Sequence, residues 1–292
     1  MTGPMAERSH RLVDSYDLMT RPITPDDIPH LHELSVAVGW MHRAEDWAVA
    51  LKLGEGIFLA DEIGRPFGSA MWFPVAEDMA MLGMVITTPR LQERGAGRWM
   101  MEQILARTGQ RDLALNATRA AFRLYLALGF QPGLTVWQHQ GIVNADVAAD
   151  PRVRAMNPED RAAIHALDTR AYTADRRRAL DLFLDQSTGT VIEDSGFITG
   201  YALCRRFGRG HVVGPIVAAN AVDAAAVTAP HLAAHRGHYL RIDTRETEGA
   251  FVDLLNASGL RPRDTVTSMT LGRPRPVDPD AHVFALAIQA IG

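Results

Sequence analysis

The sequence predicts a mixed α/β protein in which one fold is built twice along 292 residues. Three observations carry this. The length suits two domains of about 150 residues better than one. The first half alternates short apolar runs with amphipathic stretches in the order β-α-α-β-β-β-loop-α-β-α-β, the pattern of helices layered on a mixed sheet. The second half then opens as the first does: Asn157-Pro158-Glu159-Asp160 after a short strand echoes Thr24-Pro25-Asp26-Asp27 after another. The boundaries that follow are a loosely held polar tail over 1–17, a first domain over 18–143, a linker over 144–151, a second domain over 152–273 and a C-terminal tail over 274–292.

Composition bounds the function. Apolar residues make up 47% and charged residues 22%, enough for a sizeable core. The net charge of -4 gives no basic excess, so no nucleic-acid partner is expected. Cys204 is the one cysteine, which rules out an internal disulfide and gives no sign of export. The first 17 residues lack a signal-peptide core, and no run of 18 apolar residues predicts a membrane span. The expectation is a cytoplasmic protein with no membrane contact and no metal.

In the first half, Leu18 to Pro22 is a strand. Thr24 caps the next helix, Pro25 sits at its first position and two acids complement its dipole. Ile28, Leu31, Leu34 and Val38 share one helical face. Gly39-Trp40 ends this helix, a second runs from Ala44 to Leu53, and Gly54-Glu55-Gly56 stops it. Strands follow over 57–61 and 68–73 around Gly64-Arg65-Pro66, then over 79–86.

The centre of the chain is Met84 to Arg98, MVITTPRLQERGAGR. The run Met84-Val85-Ile86 ends a strand, Pro89 closes it, and Gln92-Glu93-Arg94-Gly95-Ala96-Gly97 leads into a helix-forming run from Arg98. A glycine loop at a helix start is an anion site, because the first backbone N–H groups point outward at the positive end of the dipole. Arg94 and Arg98 add charge. The loop lacks the third glycine of a dinucleotide fingerprint and the Gly-Lys-Ser/Thr end of a Walker loop.

The spacing Gln/Arg-x-x-Gly-x-Gly/Ala resembles the pyrophosphate loop of the GNAT N-acetyltransferase superfamily. A second stretch strengthens the resemblance: Leu115-Asn116-Ala117-Thr118, then Phe122 to Phe130 with Tyr125 on a helix and Gly129-Phe130 turning into a strand. Both motifs stand in the family's order. The resemblance implies two GNAT-like mixed-sheet domains packed in tandem, with acetyl-CoA as cofactor. It implies that Met84, Val85, Ile86, Gln92, Glu93, Arg94, Gly95, Ala96, Gly97, Arg98, Asn116 and Tyr125 contact the cofactor. A backbone N–H at a splayed point of the strand ending at Val85-Ile86 would hold the thioester carbonyl. Tyr125 would be the general acid for the leaving thiolate, and Asn116 either a pantetheine contact or a strand-end cap.

The amine attacks directly in this chemistry, so no side-chain nucleophile is required. Glu55, Glu77, Asp78 or a water chain are left open as the base. Trp40 and Trp47 bracket a helix start and are either an aromatic wall for the substrate or core residues; His42 between them is expected in an exposed loop. The acceptor is expected to be a small amine, and a homodimer is compatible with the sequence. A binding protein that senses acyl-CoA without transfer is the alternative.

The second half repeats the first as a strand over 153–156, helices over 161–171 and 176–185, a hairpin over 190–205 and a strand over 211–217. At the loop the echo fails: Gly214-Pro215-Ile216-Val217-Ala218-Ala219-Asn220 has neither the paired loop glycines nor the arginines. A helix over 221–235, open to interruption by Pro230, a strand over 239–243, a helix over 249–258 and a strand over 266–271 complete it. The resemblance makes this a degenerate, non-catalytic copy that helps shape the acceptor site. Asp243 and Cys204 either line that site or are structural strand residues. The apolar run over 283–291 is expected to pack as a helix or strand.

Overall fold

A computed structural model describes residues 9–144 and 148–292. The chain forms two compact units, one ending at Ala114 and one spanning Leu115–Gly292.

In the first unit, β1 (Ser9–Val13), β2 (Tyr16–Pro22), β3 (Glu55–Asp61), β4 (Pro66–Ala76) and β5 (Met79–Thr87) are neighbours in that order, all antiparallel. Helices α1 (Ile28–Ala37) and α2 (Ala44–Leu53) fall between β2 and β3, and α3 (Ala96–Thr108) follows β5. From Gly56 onward every residue of β3 is buried, so its run is continuously apolar rather than alternating. Trp47, Leu34, Phe58, Phe73, Met100 and Ile104 fill the core.

The expected tail over 1–17 needs correcting: residues 1–8 lie outside the described residues, and β1 is a strand paired with β2. Asp14 (φ 51°) and Ser15 (φ 71°) form the two-residue hairpin turn that joins them. Three of β1's five residues are exposed, so it carries no apolar rhythm for a sequence reading to detect.

The chain leaves the first unit along β6 (Asp112–Ala117). The second unit holds α4 (Phe122–Ala127), β7 (Gln131–Ile142), β8 (Val153–Ala155), α5 (Arg161–Tyr172), α6 (Arg177–Gln186), β9 (Thr188–Asp194), β10 (Phe197–Phe207) and β11 (Gly210–Ala218). It continues with α7 (Ala221–Ala234), β12 (Tyr239–Thr244), α8 (Ala250–Ala257), β13 (Arg261–Leu271) and β14 (His282–Ala285). The strand order is β13-β7-β12-β11-β10-β9-β8, with β14 paired to β11. Strand β7, the last of the first repeat, therefore lies between β12 and β13 of the second, antiparallel to both. Gly141 on β7 allows this: a Cβ there would stand 2.6 Å from the Gly259 carbonyl oxygen. Residues 145–147 of the expected linker lie outside the described residues.

The repeat seen in the sequence has a side-chain counterpart. Arg21 donates to Asp27 at 2.7 Å, and Asp27 accepts from the Thr24 N–H at 2.8 Å. In the second unit Arg154 donates to Asp160 at 2.7 and 2.8 Å, and Asp160 accepts from the Asn157 N–H at 2.7 Å. In each case the carboxylate closes the helix start while an arginine six residues upstream neutralises it. Pro230 does not interrupt α7, which runs through it from a cap in which Asn220 accepts from the Val222 and Asp223 N–H groups at 3.0 Å. Among the described residues no helix is long and apolar enough to cross a membrane.

Candidate active site

The loop after β5 leads into the N-terminus of α3. Gly95 is the N-cap of α3 at φ 86°, a left-handed conformation that glycine adopts without steric cost. Having no side chain, it leaves the first N–H groups of α3 without a side-chain cap. Glu93 also lies at positive φ, 62°, so the chain turns sharply twice before the helix. The Gln92 amide donates to the Thr87 carbonyl oxygen at 3.2 Å and ties the loop to the end of β5. Gln92, Glu93, Arg94, Gly95 and Arg98 are exposed, whereas Ala96, Trp99, Met100, Met101 and Ile104 bury the opposite face of α3. Arg94 pairs with Asp14 at 2.6 Å and Arg98 with Glu102 at 2.9 Å. These groups fit a diphosphate: exposed arginines and uncapped N–H donors converge on one turn.

Ten residues before Gly95 the pairing of β4 with β5 is interrupted. Ser69 pairs with Ile86 and Met71 with Gly83, so Ala70 alone on β4 faces both Met84 and Val85 on β5. This is a β-bulge, in which the extra residue leaves the ladder. Met84 takes φ 52°, and the buried Ser69 hydroxyl donates to the Met84 carbonyl oxygen at 2.8 Å. That bond satisfies the carbonyl turned out of the ladder. Ser69 was not singled out by its sequence context, since a serine in an apolar strand carries no pattern.

In the second unit, α4 holds Tyr125, which is buried against Phe130 with ring centroids 5.9 Å apart. Gly129 (φ 91°) closes the helix, and the Phe130 N–H donates to the Tyr125 carbonyl oxygen at 3.0 Å. Burial raises the Tyr125 hydroxyl above its ordinary pKa, so it stays protonated through the neutral range. Asn116 on β6 spends its side chain internally. It donates to the Gln289 carbonyl oxygen at 2.7 Å and accepts from the Ser268 hydroxyl at 2.8 Å. It therefore braces β13 and the C-terminal segment, beyond the strand-end cap that the sequence suggested.

Two candidate substrate residues take the structural one of their two alternatives. Trp47 is fully buried and its indole N–H donates to the Ser35 hydroxyl at 2.9 Å, so it is core between α1 and α2. Trp40 is half-buried against His42, with ring centroids 5.4 Å apart. His42 is itself half-buried rather than exposed. Asp243 is buried and holds Arg241 on the same face of β12 through two bonds of 2.8 and 2.7 Å, so no free carboxylate faces a ligand. Cys204 is likewise buried, with burial pushing its thiol up to about 12. Glu77 and Asp78 occupy the exposed turn between β4 and β5. Met84 is six positions along the strand from Asp78, about 20 Å at the usual rise, which puts the turn too far from the bulge for proton transfer there. Glu55 is exposed at the start of β3.

Family models match both halves: residues 23–130 match an acetyltransferase (GNAT) family model, and residues 164–285 a second acetyltransferase (GNAT) domain model. The chain belongs to the GNAT acetyltransferase family and carries two of its domains in tandem. Among solved structures, a Pyrococcus horikoshii protein assigned provisionally to the acetyltransferases aligns over 94% of this chain and 96% of its own. Its identity is 18% and the TM-score 0.79. A GCN5-related N-acetyltransferase from Sphaerobacter thermophilus aligns over 87% of this chain and 95% of its own, at 16% identity and a TM-score of 0.64. A tandem GNAT protein from the clavulanic acid biosynthesis pathway aligns over 88% and 100%, at 16% identity and a TM-score of 0.61. At these identities the likeness is one of fold. No curated protein matches the sequence.

Proposed function

We propose that this protein is an acetyl-CoA-dependent N-acetyltransferase acting on a small amine by direct attack in a ternary complex. The observation that carries the reading is the pairing, in one unit, of the Met84–Val85 bulge on β5 with the Gly95 turn that opens α3. Acetyl-CoA supplies the acetyl group and a thiol leaving group. Gln92, Arg94, Arg98 and the N–H groups of residues 95–98 bind the diphosphate. The backbone at Met84 and Val85 orients the carbonyl and opposes the negative charge that gathers on its oxygen. The neutral amine nitrogen bonds to the carbonyl carbon, the C–S bond breaks, and Tyr125 Oη releases its proton to the departing sulfur. The amine's surplus proton leaves to solvent.

Free-thiol release, followed with acetyl-CoA and a panel of amines, tests this. Turnover that depends on both substrates supports it. Acetyl-CoA binding without thiol release from any amine contradicts it and favours a sensor of acyl-CoA.

A further inference from the structure

The second unit repeats the interrupted strand pairing of the first. Ala202 on β10 pairs with Ile216 of β11 and Cys204 pairs with Val213, so Leu203 alone faces both Gly214 and Pro215. This is the arrangement of Ala70 against Met84 and Val85, with the extra residue again on the later strand. Next to this bulge β11 parts from its parallel neighbour β12. Their pairing is confined to His211 with Leu240 and Val212 with Arg241.

The C-terminal segment enters where the two strands part. β14 lies antiparallel on β11, with Ile216 opposite Ala285, Val217 opposite Val283 and Ala218 opposite His282. Toward β12, the Leu286 N–H donates to the Asp243 carbonyl oxygen at 2.9 Å. The segment thus bonds to both strands and satisfies backbone groups that their parting leaves open. Residues 284–288 are all buried, and Phe284 meets Phe251 of α8 edge to face with ring centroids 5.6 Å apart. Gly214 makes room for the segment, because a Cβ there would overlap the Leu286 carbonyl oxygen. Arg205 donates to the Ala287 carbonyl oxygen at 3.0 Å, and Arg176 to that of Gly292 at 2.9 Å.

The helix start that follows β11 is closed from within as well. Gly95 leaves the first N–H groups of α3 without a side-chain cap. At the same place before α7, Asn220 accepts from the Val222 and Asp223 N–H groups at 3.0 Å. The Asp223 carboxylate is held by the Asn220 amide at 2.9 Å and by Arg152 at 3.0 Å. A diphosphate would find these donors already in use.

We infer that the gap between β11 and β12 is a second acyl-donor cleft whose resident occupant is the chain's own segment 282–288, so that the protein holds one acetyl-CoA, in the first unit. Pantetheine is an extended chain carrying amides, and a peptide strand offers the same donors and acceptors to a strand edge. The name of the cleft rests on the acetyltransferase reading, while the seating of the strand stands on the geometry of the second unit alone.

Two measurements separate those claims. Native mass spectrometry with excess acetyl-CoA counts one ligand per chain; a second ligand overturns the inference and leaves the acetyltransferase reading intact. Hydrogen exchange, read peptide by peptide, locates it. Residues 282–288 exchange as slowly as β11 in the free protein. Acetyl-CoA slows exchange over 92–98 and leaves 220–224 and 282–288 unchanged. Fast exchange over 282–288 in the free protein, exchange there quickened by acetyl-CoA, or protection gained over 220–224 overturns the inference. Gly214→Ala, which sets a methyl group against Leu286, abolishes the protection of 282–288, and protection kept in that variant contradicts the close seating. The wild-type arms stand if the variant fails to fold. No binding by wild type removes the function proposed above, and exchange over 282–288 then still decides whether the strand fills the gap.

Discussion

The buried hydroxyl of Ser69 donates to the carbonyl oxygen of Met84 at 2.8 Å, across the bulge at which β4 and β5 part. The bond holds a non-glycine residue at φ 52° in the middle of a sheet, a conformation that persists only where its surroundings enforce it. Ser69→Ala is expected to lower stability by about 1 kcal/mol and to let the bulge relax. Thiol-release kinetics should show a fall in kcat, while calorimetric affinity for acetyl-CoA, set at the loop, stays near the wild-type value.

Arg94 is engaged by Asp14, in the turn between β1 and β2, at 2.6 Å. Both side chains are about half exposed, so the pair adds little stability. Asp14→Asn should leave the unfolding midpoint within about 3 °C of wild type, because exposed pairs contribute ~0–1 kcal/mol. It should tighten acetyl-CoA binding by freeing the arginine. Arg94→Ala should weaken binding by roughly tenfold, the loss of one charge-assisted phosphate contact.

Tyr125→Phe removes the proposed proton source and preserves the packing on Phe130. A loss of about 10²–10⁴ in kcat with unchanged acetyl-CoA affinity is expected. The hydroxyl is raised above its usual pKa by burial, so the wild-type rate profile should show no falling limb from this group below about pH 10. Full turnover in the variant contradicts the assignment.

His231 on α7 is buried, with its ring Nε2 3.1 Å from the Thr190 hydroxyl and 3.2 Å from the Ala202 carbonyl oxygen. Burial lowers its pKa to about 4. The unfolded chain takes up this proton below about pH 6.5 and the folded chain does not until near pH 4. Stability should therefore drop between those values, by on the order of 3 kcal/mol from this residue. Denaturant titrations across that range should show the slope, and His231→Gln should flatten it.

Much of the fold was legible because its signals are local. Periodicity and caps placed α2, α5 and β5 within about two residues, and the echo of Thr24–Asp27 in Asn157–Asp160 announced the duplication. The exchange of β7 between β12 and β13 was not legible, since strand pairing across the repeat leaves no local pattern and Gly141 is an ordinary glycine in sequence. In the site, the Gly95 loop declared itself through glycine spacing beside arginines. Trp47 and Asp243 stayed open between two roles because residue type speaks to chemistry and not to burial; the partners Ser35 and Arg241 are visible only after folding.

The most direct test of the account is a calorimetric titration of acetyl-CoA into wild type and into Gly95→Asp. A side chain at Gly95 meets no atom within 4 Å, but φ 86° strains any side chain there; aspartate is among the residues that tolerate positive φ best, and circular dichroism checks that the variant folds. The aspartate sets a negative charge where the diphosphate is expected. Wild type should bind with a dissociation constant on the order of micromolar, about −8 kcal/mol, and the folded variant should show no binding. Absence of binding by wild type, or equal binding by both proteins, contradicts the placement of the cofactor at the start of α3.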